Sequence, residues 1–363
     1  MSLKGLTALL HAGHLLEILV YEGNLLFIEQ LRHLYLSFPE QVSLKTETYH
    51  TRPLQISWTW LRLTHAWRLS QKIRRCRAQR LLILQGDIEQ CSEGVLAGWL
   101  SGVETISYIP MVMSGRERGI RLSWLRDILS FPIYRLADRF IVISDYFRHR
   151  IEAISSADVR VVFNSIDLEF FHASTARAVM RNHLGIRENE FVSGFVGRLA
   201  YQQKGLDRLI ETLKIGRKHF LRNRLLVVGD GPDRERFTND LKAYGLTDCV
   251  ILCPWTAEGR YRLFDAMDLF LCVSRFEGLP LTLLEAMARG TPILSVPLAP
   301  LVGTLPVDFV GNVNRPFDPT EFAHAISQHH SPSYSQKNFE RSIFLKQISH
   351  EIFQKRFVDA VTG

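Results

Sequence analysis

The sequence has few cysteines, no long apolar run and no zinc-type motif. Its five cysteines are odd in number and scattered, without a CxxC pair. This usage argues against a disulfide scaffold and favours core thiols in a reducing compartment. No stretch of 18 or more uninterrupted apolar residues occurs, so we expect no membrane span. The start shows no secretory pattern, which favours a cytoplasmic location.

Tracts that favour disorder are also absent. Neither half contains a long Gly/Ser/Pro tract, and 46% of the residues are hydrophobic against 22% charged. This composition is typical of globular domains with a substantial core. The chain of 363 residues exceeds the usual size of one core, so two domains are expected.

Short β-branched or Leu-rich runs alternate with segments of helical period, the pattern of doubly wound α/β layers. We expect one Rossmann-like unit over 1–172, a second over 173–335, and a helix within 336–363 that packs back toward the first unit. Two such units in tandem form a cleft, and α/β sheets bind ligands beyond the carboxyl ends of their strands. The predicted strands are 15–21, 42–46, 81–85, 105–111, 139–144, 160–163, 191–197, 224–230, 249–253, 269–273 and 291–296.

The most informative segment is 274–290, which places two carboxylates across a predicted strand–loop–helix junction. Glu277 precedes the helix and Glu285 lies about a turn and a half inside it, so both can face one polyhydroxylated ligand. Carboxylates near hydroxyl groups accept strong charge-assisted hydrogen bonds. Taken alone, Glu277 is better explained as a surface loop residue and Glu285 as a solvated helix position.

The start of that helix has the composition of an anion site. Gly278 allows a tight turn and a close approach of the backbone to a ligand, and Pro280 fits a helix start. The free N–H groups near Leu281 and Thr282 point toward any bound anion. This favours a ligand that carries phosphate groups.

The run with Glu277 and Glu285 resembles the E-x7-E signature of retaining glycosyltransferases with the GT-B architecture, glycosyl transferases group 1 (family 4). Two further motifs agree in order: Gly197-Arg198-Leu199 followed by Lys204-Gly205, and the turn 228–232 with the sequence VGDGP. The resemblance covers 191–296 and implies two Rossmann-like domains that face each other across a cleft.

The resemblance also implies roles. Arg198 and Lys204 would hold the donor diphosphate, Glu285 the ribose hydroxyls and Glu277 the transferred sugar. Arg198, Lys204 and Glu277 are the implied catalytic residues. The implied donor-binding residues are Gly197, Arg198, Lys204, Gly278, Leu279, Pro280, Leu281, Thr282 and Glu285. The implied reaction moves a hexose from a UDP- or GDP-sugar to an acceptor hydroxyl with retention, without a cofactor or an essential metal, in polysaccharide, glycolipid or glycoconjugate synthesis.

The first half fits this pattern less completely. Gly23 and Asn24 stand where the family's acceptor loop has two or more glycines, and Met113 stands where relatives often carry a histidine. Ser165 replaces the glycine of the family's crossing motif. These departures motivate an alternative: a nucleotide-sugar-binding regulatory or assembly protein without transfer activity. An epimerase of similar fold is a weaker alternative, because the glutamate pair belongs with transferases.

The segment 51–80 is strongly basic and contains no acidic residue. Three tryptophans, Trp58, Trp60 and Trp67, are interleaved with its arginines, which suits a helix on an anionic membrane surface or a polyprenyl-diphosphate acceptor. A helix with Trp in the core and Arg in water is the alternative. RNA binding is disfavoured because no nucleic-acid module accompanies the segment. We therefore expect a cytoplasmic protein, peripheral on the inner face of the membrane. Its basic residues are Arg52, Arg62, Arg68, Lys72, Arg74, Arg75, Arg77 and Arg80.

Overall fold

The computed structural model describes residues 1–47, 54–167, 177–220, 223–254, 260–301, 310–312, 317–328 and 344–363. The chain forms two compact units. Unit 1 consists of Met1–Ser165 with His350–Gly363, and unit 2 consists of Ile166–Ser349. The domain limits expected at 172/173 and 335/336 both lie outside the described residues.

Unit 1 contains two parallel sheets. One is the pair β1–β2, and the other has the order β3-β4-β5-β6. In β5 every residue is buried, whereas exposure alternates along β1, so helices cover both faces of the larger sheet near its centre. The strands are β1 Leu16–Tyr21, β2 Val42–Glu47, β3 Arg80–Leu84, β4 Glu104–Tyr108, β5 Arg139–Val142 and β6 Asp158–Val161.

The last helix of the chain belongs to unit 1. It packs on the first helix, where the ring of Phe357 lies so close to Gly5 that a Cβ there would be 2.5 Å from it. Arg139 of β5 donates to the carbonyl of Ala360 at 3.0 Å. The helices of unit 1 are α1 Ser2–His11, α2 Leu25–Ser37, α3 Gln55–Leu61, α4 Leu63–Cys76, α5 Ser92–Ser101, α6 Ser123–Ser130, α7 Asp145–Glu152 and α15 His350–Thr362.

Unit 2 is built on a six-stranded parallel sheet of order β12-β11-β10-β7-β8-β9. The chain first builds outward from β7 on one side and then returns to build outward from β10 on the other. The boundary between β7 and β10 is therefore the topological switch point, where doubly wound sheets bind ligands. The strands are β7 Phe191–Val196, β8 Asn223–Val228, β9 Val250–Cys253, β10 Leu269–Cys272, β11 Ile293–Ser295 and β12 Val310–Asn312.

The helices of unit 2 include two that matter for the site below. The first is the single turn α9 Tyr201–Lys204, and the second is α13 Leu281–Arg289. The α-helices among the described residues of unit 2 are α8 Arg177–His183, α9, α10 Leu206–Phe220, α11 Arg234–Ala243, α12 Arg260–Leu263, α13 and α14 Pro319–Gln328. Among the helices of the described residues, none combines the length and apolar composition that a bilayer span requires.

Most predicted strands are confirmed to within two residues, and two elements differ. The strand expected over 105–111 ends at Tyr108, because Pro110 has no N–H to continue the ladder. The helix expected in the basic segment 51–80 is two helices, α3 and α4, separated at Arg62, whose φ of −110° and ψ of 42° lie outside the helical range. Hydrophobic period alone does not locate such a break.

Candidate active site

The loops that follow β7 and β10 meet at the switch point of unit 2. The first loop runs from Gly197 to α9, and the second runs from Ser274 to the start of α13. The backbone N–H of Arg275 donates to the carbonyl of Gln203 at 2.8 Å, which joins the two loops directly. Residues 70 or more positions apart thus lie together at the carboxyl edge of the sheet.

At this junction Lys204 and Glu277 form a shielded ion pair. The Nζ of Lys204 lies 2.6 Å from Oε1 of Glu277, and the two side chains are 15% and 8% exposed. The hydroxyl of Ser274 donates to the same oxygen at 2.7 Å. A hypothetical Cβ on Gly197 would lie 3.7 Å from the Lys204 Nζ, so the ammonium group sits against the end of β7. The Lys204 ammonium group is therefore held at a fixed position in the site.

Gly205 sets the position of Lys204 by ending α9. Its φ is +67°, and a Cβ at this position would lie 2.4 Å from the carbonyl oxygen of Val273. Only glycine avoids both the left-handed strain and the clash with backbone. The end of α9 therefore lies directly against the end of β10.

Arg275 and Asp207 form a second connection between the loops. The Nη1 of Arg275 donates to the carbonyl of Tyr201 and to Oδ1 of Asp207, both at 2.8 Å, and Nη2 pairs with the other carboxylate oxygen. Burial raises the pKa of Asp207, but the hydrogen bonds and charge of Arg275 outweigh it and hold that pKa below its ordinary value. The hydrogen bond with Asp207 likewise raises the pKa of Arg275. Arg275 thus links the loop after β10 to the start of α9 and to the first turn of α10.

The Gly-Asp-Gly turn after β8 supports the loop that carries Arg198. A Cβ on Gly229 would lie 1.9 Å from the carbonyl oxygen of Gly197, and one on Gly231 would lie 2.4 Å from that of Leu199. The N–H of Leu199 donates to the backbone carbonyl of Asp230 at 2.8 Å. The two glycines therefore permit backbone-to-backbone packing, and the turn shapes the site.

The start of α13 supplies backbone donors beside the ion pair. Pro280 is its N-cap, and its carbonyl accepts from the N–H groups of Leu283 and Leu284 at 3.2 and 3.3 Å. The N–H groups of Leu281 and Thr282 precede any acceptor within the helix, so they are available to an anion. Glu285, one turn further, is buried.

The structure brings together most of the predicted donor residues. Gly197, Lys204 and Glu277 share one junction, while Gly278, Leu279 and Pro280 lead from it into α13. Leu279 is buried, and Arg198 is exposed without a hydrogen bond or ion pair to any described residue. The Arg198 side chain is therefore accessible to a ligand at the carboxyl edge of the sheet of unit 2.

Sequence reasoning missed three residues that organise the junction. No local pattern in the sequence marks Ser274, Arg275 or Asp207. The bidentate pair joins positions 68 residues apart, and no local pattern in the sequence connects them. Gly205 was noted only as part of a motif, although its positive φ makes it indispensable.

The predicted acceptor-side residues lie in unit 1, at the ends of strands in its two sheets. Gly23 and Asn24 follow β1; Asn24 is exposed, and its N–H donates to Tyr21 at 3.0 Å. Asn24 is the N-cap residue of α2 but makes no side-chain capping bond. Met113 is half-buried in the irregular segment that follows β4.

A charged cluster fixes the loop that follows Met113. Arg118 in this loop pairs with Asp87 at 2.6 Å and with Glu89 at 3.3 Å. Glu89 is buried, and its Oε1 also pairs with Nε of Arg126 at 2.8 Å. The cluster ties the segment after β4 to the segment after β3, and the sequence analysis did not anticipate it.

Comparison with known proteins agrees with the fold. Anabaena Alr3699/HepE, solved in complex with UDP, superposes with a TM-score of 0.70 at 16% identity, over 96% of this chain and all of that one. The structural neighbours are GT-B glycosyltransferases, which confirms the predicted fold class. Residues 176–342 match the family model "Glycosyl transferases group 1", in agreement with the resemblance seen in the sequence.

Curated relatives match only part of this chain and part of their own length. The O-antigen biosynthesis glycosyltransferase WclY of Escherichia coli is 24% identical over 67% of this chain and 64% of its own length. The Escherichia coli protein named UDP-Gal:alpha-D-GlcNAc-diphosphoundecaprenol alpha-1,3-galactosyltransferase is 31% identical over 38% of this chain and 36% of its own. The alignments thus span less than two thirds of these relatives.

Proposed function

We propose that the protein is a retaining glycosyltransferase that moves a hexose from a UDP- or GDP-sugar to an acceptor hydroxyl. The observation that carries the proposal is the Lys204–Glu277 pair, fixed at the switch point of unit 2 beside the first turn of α13. Cleavage of a sugar–phosphate bond develops negative charge on the departing diphosphate. A fixed ammonium group and a helix N-terminus stabilise that charge in the transition state.

Each residue has a distinct part in this proposal. Lys204 and Arg198 bind the diphosphate, with Arg198 supplied from its exposed position. Glu277 accepts from hydroxyls of the sugar while it orients Lys204, and Glu285 accepts from the ribose. The departing phosphate takes the proton of the acceptor hydroxyl on the same face, so the anomeric configuration is retained. No metal is required, because the two cations and the helix N-terminus balance the diphosphate charge.

The names of relatives support the substrate classes. One structural neighbour was solved with UDP, and one curated relative is named for a UDP-Gal donor and a diphosphoundecaprenol-linked acceptor. We therefore place this protein in glycoconjugate or polysaccharide synthesis with a glycan or lipid-linked acceptor. The basic segment 51–80 supports a cytoplasmic protein that is peripheral on an anionic membrane face.

The test measures release of nucleoside diphosphate from UDP- and GDP-hexoses, with and without EDTA, and the anomeric configuration of the product by NMR. We expect release that EDTA leaves unchanged and a product that retains the donor configuration. Lys204→Ala should lower turnover by roughly 10² to 10³, the effect of removing a preorganised charge contact. Wild-type turnover in this variant would refute the assigned site, and an inverted product would refute the mechanism.

A second candidate function is nucleotide-sugar binding without transfer, in a regulatory or assembly role. Asn24 and Met113 favour this second function, because both depart from the acceptor-side pattern of the family that the chain resembles. Such a protein would bind UDP or GDP but show neither transfer nor slow hydrolysis of any donor. Donor binding together with hydrolysis that depends on Lys204 excludes this alternative.

A further inference from the structure

Exposed apolar side chains are more numerous in unit 1 than in unit 2 among the described residues. Of the nineteen large hydrophobic residues that are exposed among the described residues, fifteen lie between Leu15 and Phe131 and only four lie in unit 2. The chain has six tryptophans. Four of them, Trp58, Trp67, Trp99 and Trp124, are exposed and belong to unit 1. Such clustering marks an interaction surface, whereas scattered exposed residues need no explanation.

The four tryptophans lie on four helices that pack on one another. α3 contacts α4, α5 and α6, and α4 lies along α5. Trp60 of α3 donates its indole N–H to the carbonyl of Leu129 at 2.9 Å, which fixes α3 against the end of α6. Arg74 of α4 donates to the carbonyl of Leu100 at 2.8 Å beside Trp99. We call the exposed side chains Trp58, Trp67, Trp99 and Trp124 the tryptophan surface.

Two of these helices present apolar pairs with helical spacing to the solvent. Leu63 and Trp67 on α4 are 52% and 58% exposed, and Trp124 and Ile128 on α6 are 65% and 62% exposed. Residues four apart lie on the same face of a helix. On α4 the opposite face, with Ala66, Ser70 and Ile73, is buried. The exposed pairs therefore do not belong to the core.

The charge of the segment around these residues is positive and only partly compensated, since Lys72 pairs with Glu47 and Arg80 with Glu104. Arg68, Arg75 and Arg77 are exposed and form no ion pair with any described residue, and no acidic residue occurs between 54 and 80. Tryptophan at the water interface combined with Lys or Arg is the composition that binds anionic lipid surfaces. A second copy of the chain would bring like charges together, which disfavours self-association through this surface.

We propose that the tryptophan surface seats unit 1 on an anionic phospholipid bilayer, with α5 and α6 contributing as much as the basic segment 51–80. α6 begins ten residues after Met113, and both lie in unit 1. The further consequence that the acceptor is carried in the bilayer rests on the proposed transfer. Binding to lipid itself does not depend on transfer.

The experiment is flotation of the full chain with vesicles of phosphatidylcholine, alone and mixed with phosphatidylglycerol, at low and high salt. Binding is expected only with phosphatidylglycerol and is reduced by salt. Trp67→Ser and Trp124→Ser should each weaken partition about tenfold through lost apolar contact, and Arg68→Ala about fivefold. The matched controls Val179→Ser and Ile215→Ser remove exposed apolar groups of unit 2 and should change nothing.

Thermal shift with UDP, measured on each variant, shows whether unit 2 is folded and whether the donor site works. Wild-type protein that binds UDP but does not float with anionic vesicles would overturn the membrane seat and leave the proposed transfer standing. Flotation that persists in Trp124→Ser and Trp99→Ser would overturn the contribution of α5 and α6. Concentration-dependent association in sedimentation velocity, abolished by the tryptophan substitutions, would assign the surface to a second copy instead.

Discussion

Replacing Lys204 by methionine removes the cation of the Lys204–Glu277 pair while keeping most of the apolar stem. Glu277, which is 8% exposed on its side chain, is then left as a buried carboxylate with the hydroxyl of Ser274. Breaking a fully buried pair costs about 3–5 kcal/mol. Because Lys204 is partly exposed and Ser274 still donates to Glu277, we expect Lys204→Met to lower the free energy of unfolding by about 2 kcal/mol.

The double variant separates the pair from its members. Glu277→Gln keeps an oxygen for Ser274 and should cost about 1–2 kcal/mol through the weakened bond to Lys204. With both substitutions no buried charge is left unpaired, so the double variant should be more stable than the sum of the single effects by about 1–2 kcal/mol.

Differential scanning fluorimetry and urea unfolding measure this coupling. A domain of this size shifts its midpoint by about 2–4 °C per kcal/mol, so the coupling lies within the resolution of the method. UDP titration of the same variants separates stability from ligand binding. The double variant should still bind UDP weakly, because it lacks Lys204, even though part of its stability is regained. Strictly additive effects on stability would refute the view that the two residues form one unit.

Further predictions concern the two contacts that hold α9. Gly205→Ala combines a positive φ with a Cβ 2.4 Å from a backbone oxygen; we expect a loss of at least about 2 kcal/mol and weaker UDP binding, and unchanged values in both assays would contradict the assigned role. Arg275→Asp should weaken UDP binding, and the charge swap with Asp207→Arg should recover part of it; no recovery would show that the salt bridge is not what positions Lys204. Because the folded pKa of Asp207 is lowered, the stability from this bridge is present above about pH 4 and is lost as pH falls through the folded pKa; the stability difference between wild type and Asp207→Asn should shrink there, and a constant difference across that range would argue against it.

The fold was largely predictable because its signals are local. Period-two patterns located most of the strands. Gly290 ends α13 with φ of 76°, the left-handed conformation that favours glycine at a helix end. No helix was predicted at α1, which precedes the first strand, or at α14, which follows the last predicted strand. The strand order of unit 2 was not predicted, because no single segment of the sequence carries it.

The candidate site was predictable only where its residues form motifs. Lys204 and Glu277 stand in two recognisable runs, yet their direct ion pair is a property of the tertiary packing of β7 against β10. The Arg275–Asp207 bridge and the cluster around Glu89 join distant positions through side chains, and sequence spacing carries no information about such contacts. The exposed state of Trp99 and Trp124 likewise became visible only with the packing of the helices around them.

Isothermal titration of the wild-type chain and of Lys204→Ala with UDP, GDP and ADP tests the central claim most directly. The account predicts saturable binding of UDP or GDP to the wild type, unaffected by EDTA, and a loss of that binding in Lys204→Ala. Val179→Ser, an exposed substitution away from the site, should bind like the wild type. Absence of binding with all three nucleotides, or equal binding by Lys204→Ala, would contradict the assignment of the β7–β10 junction as a nucleotide-sugar site.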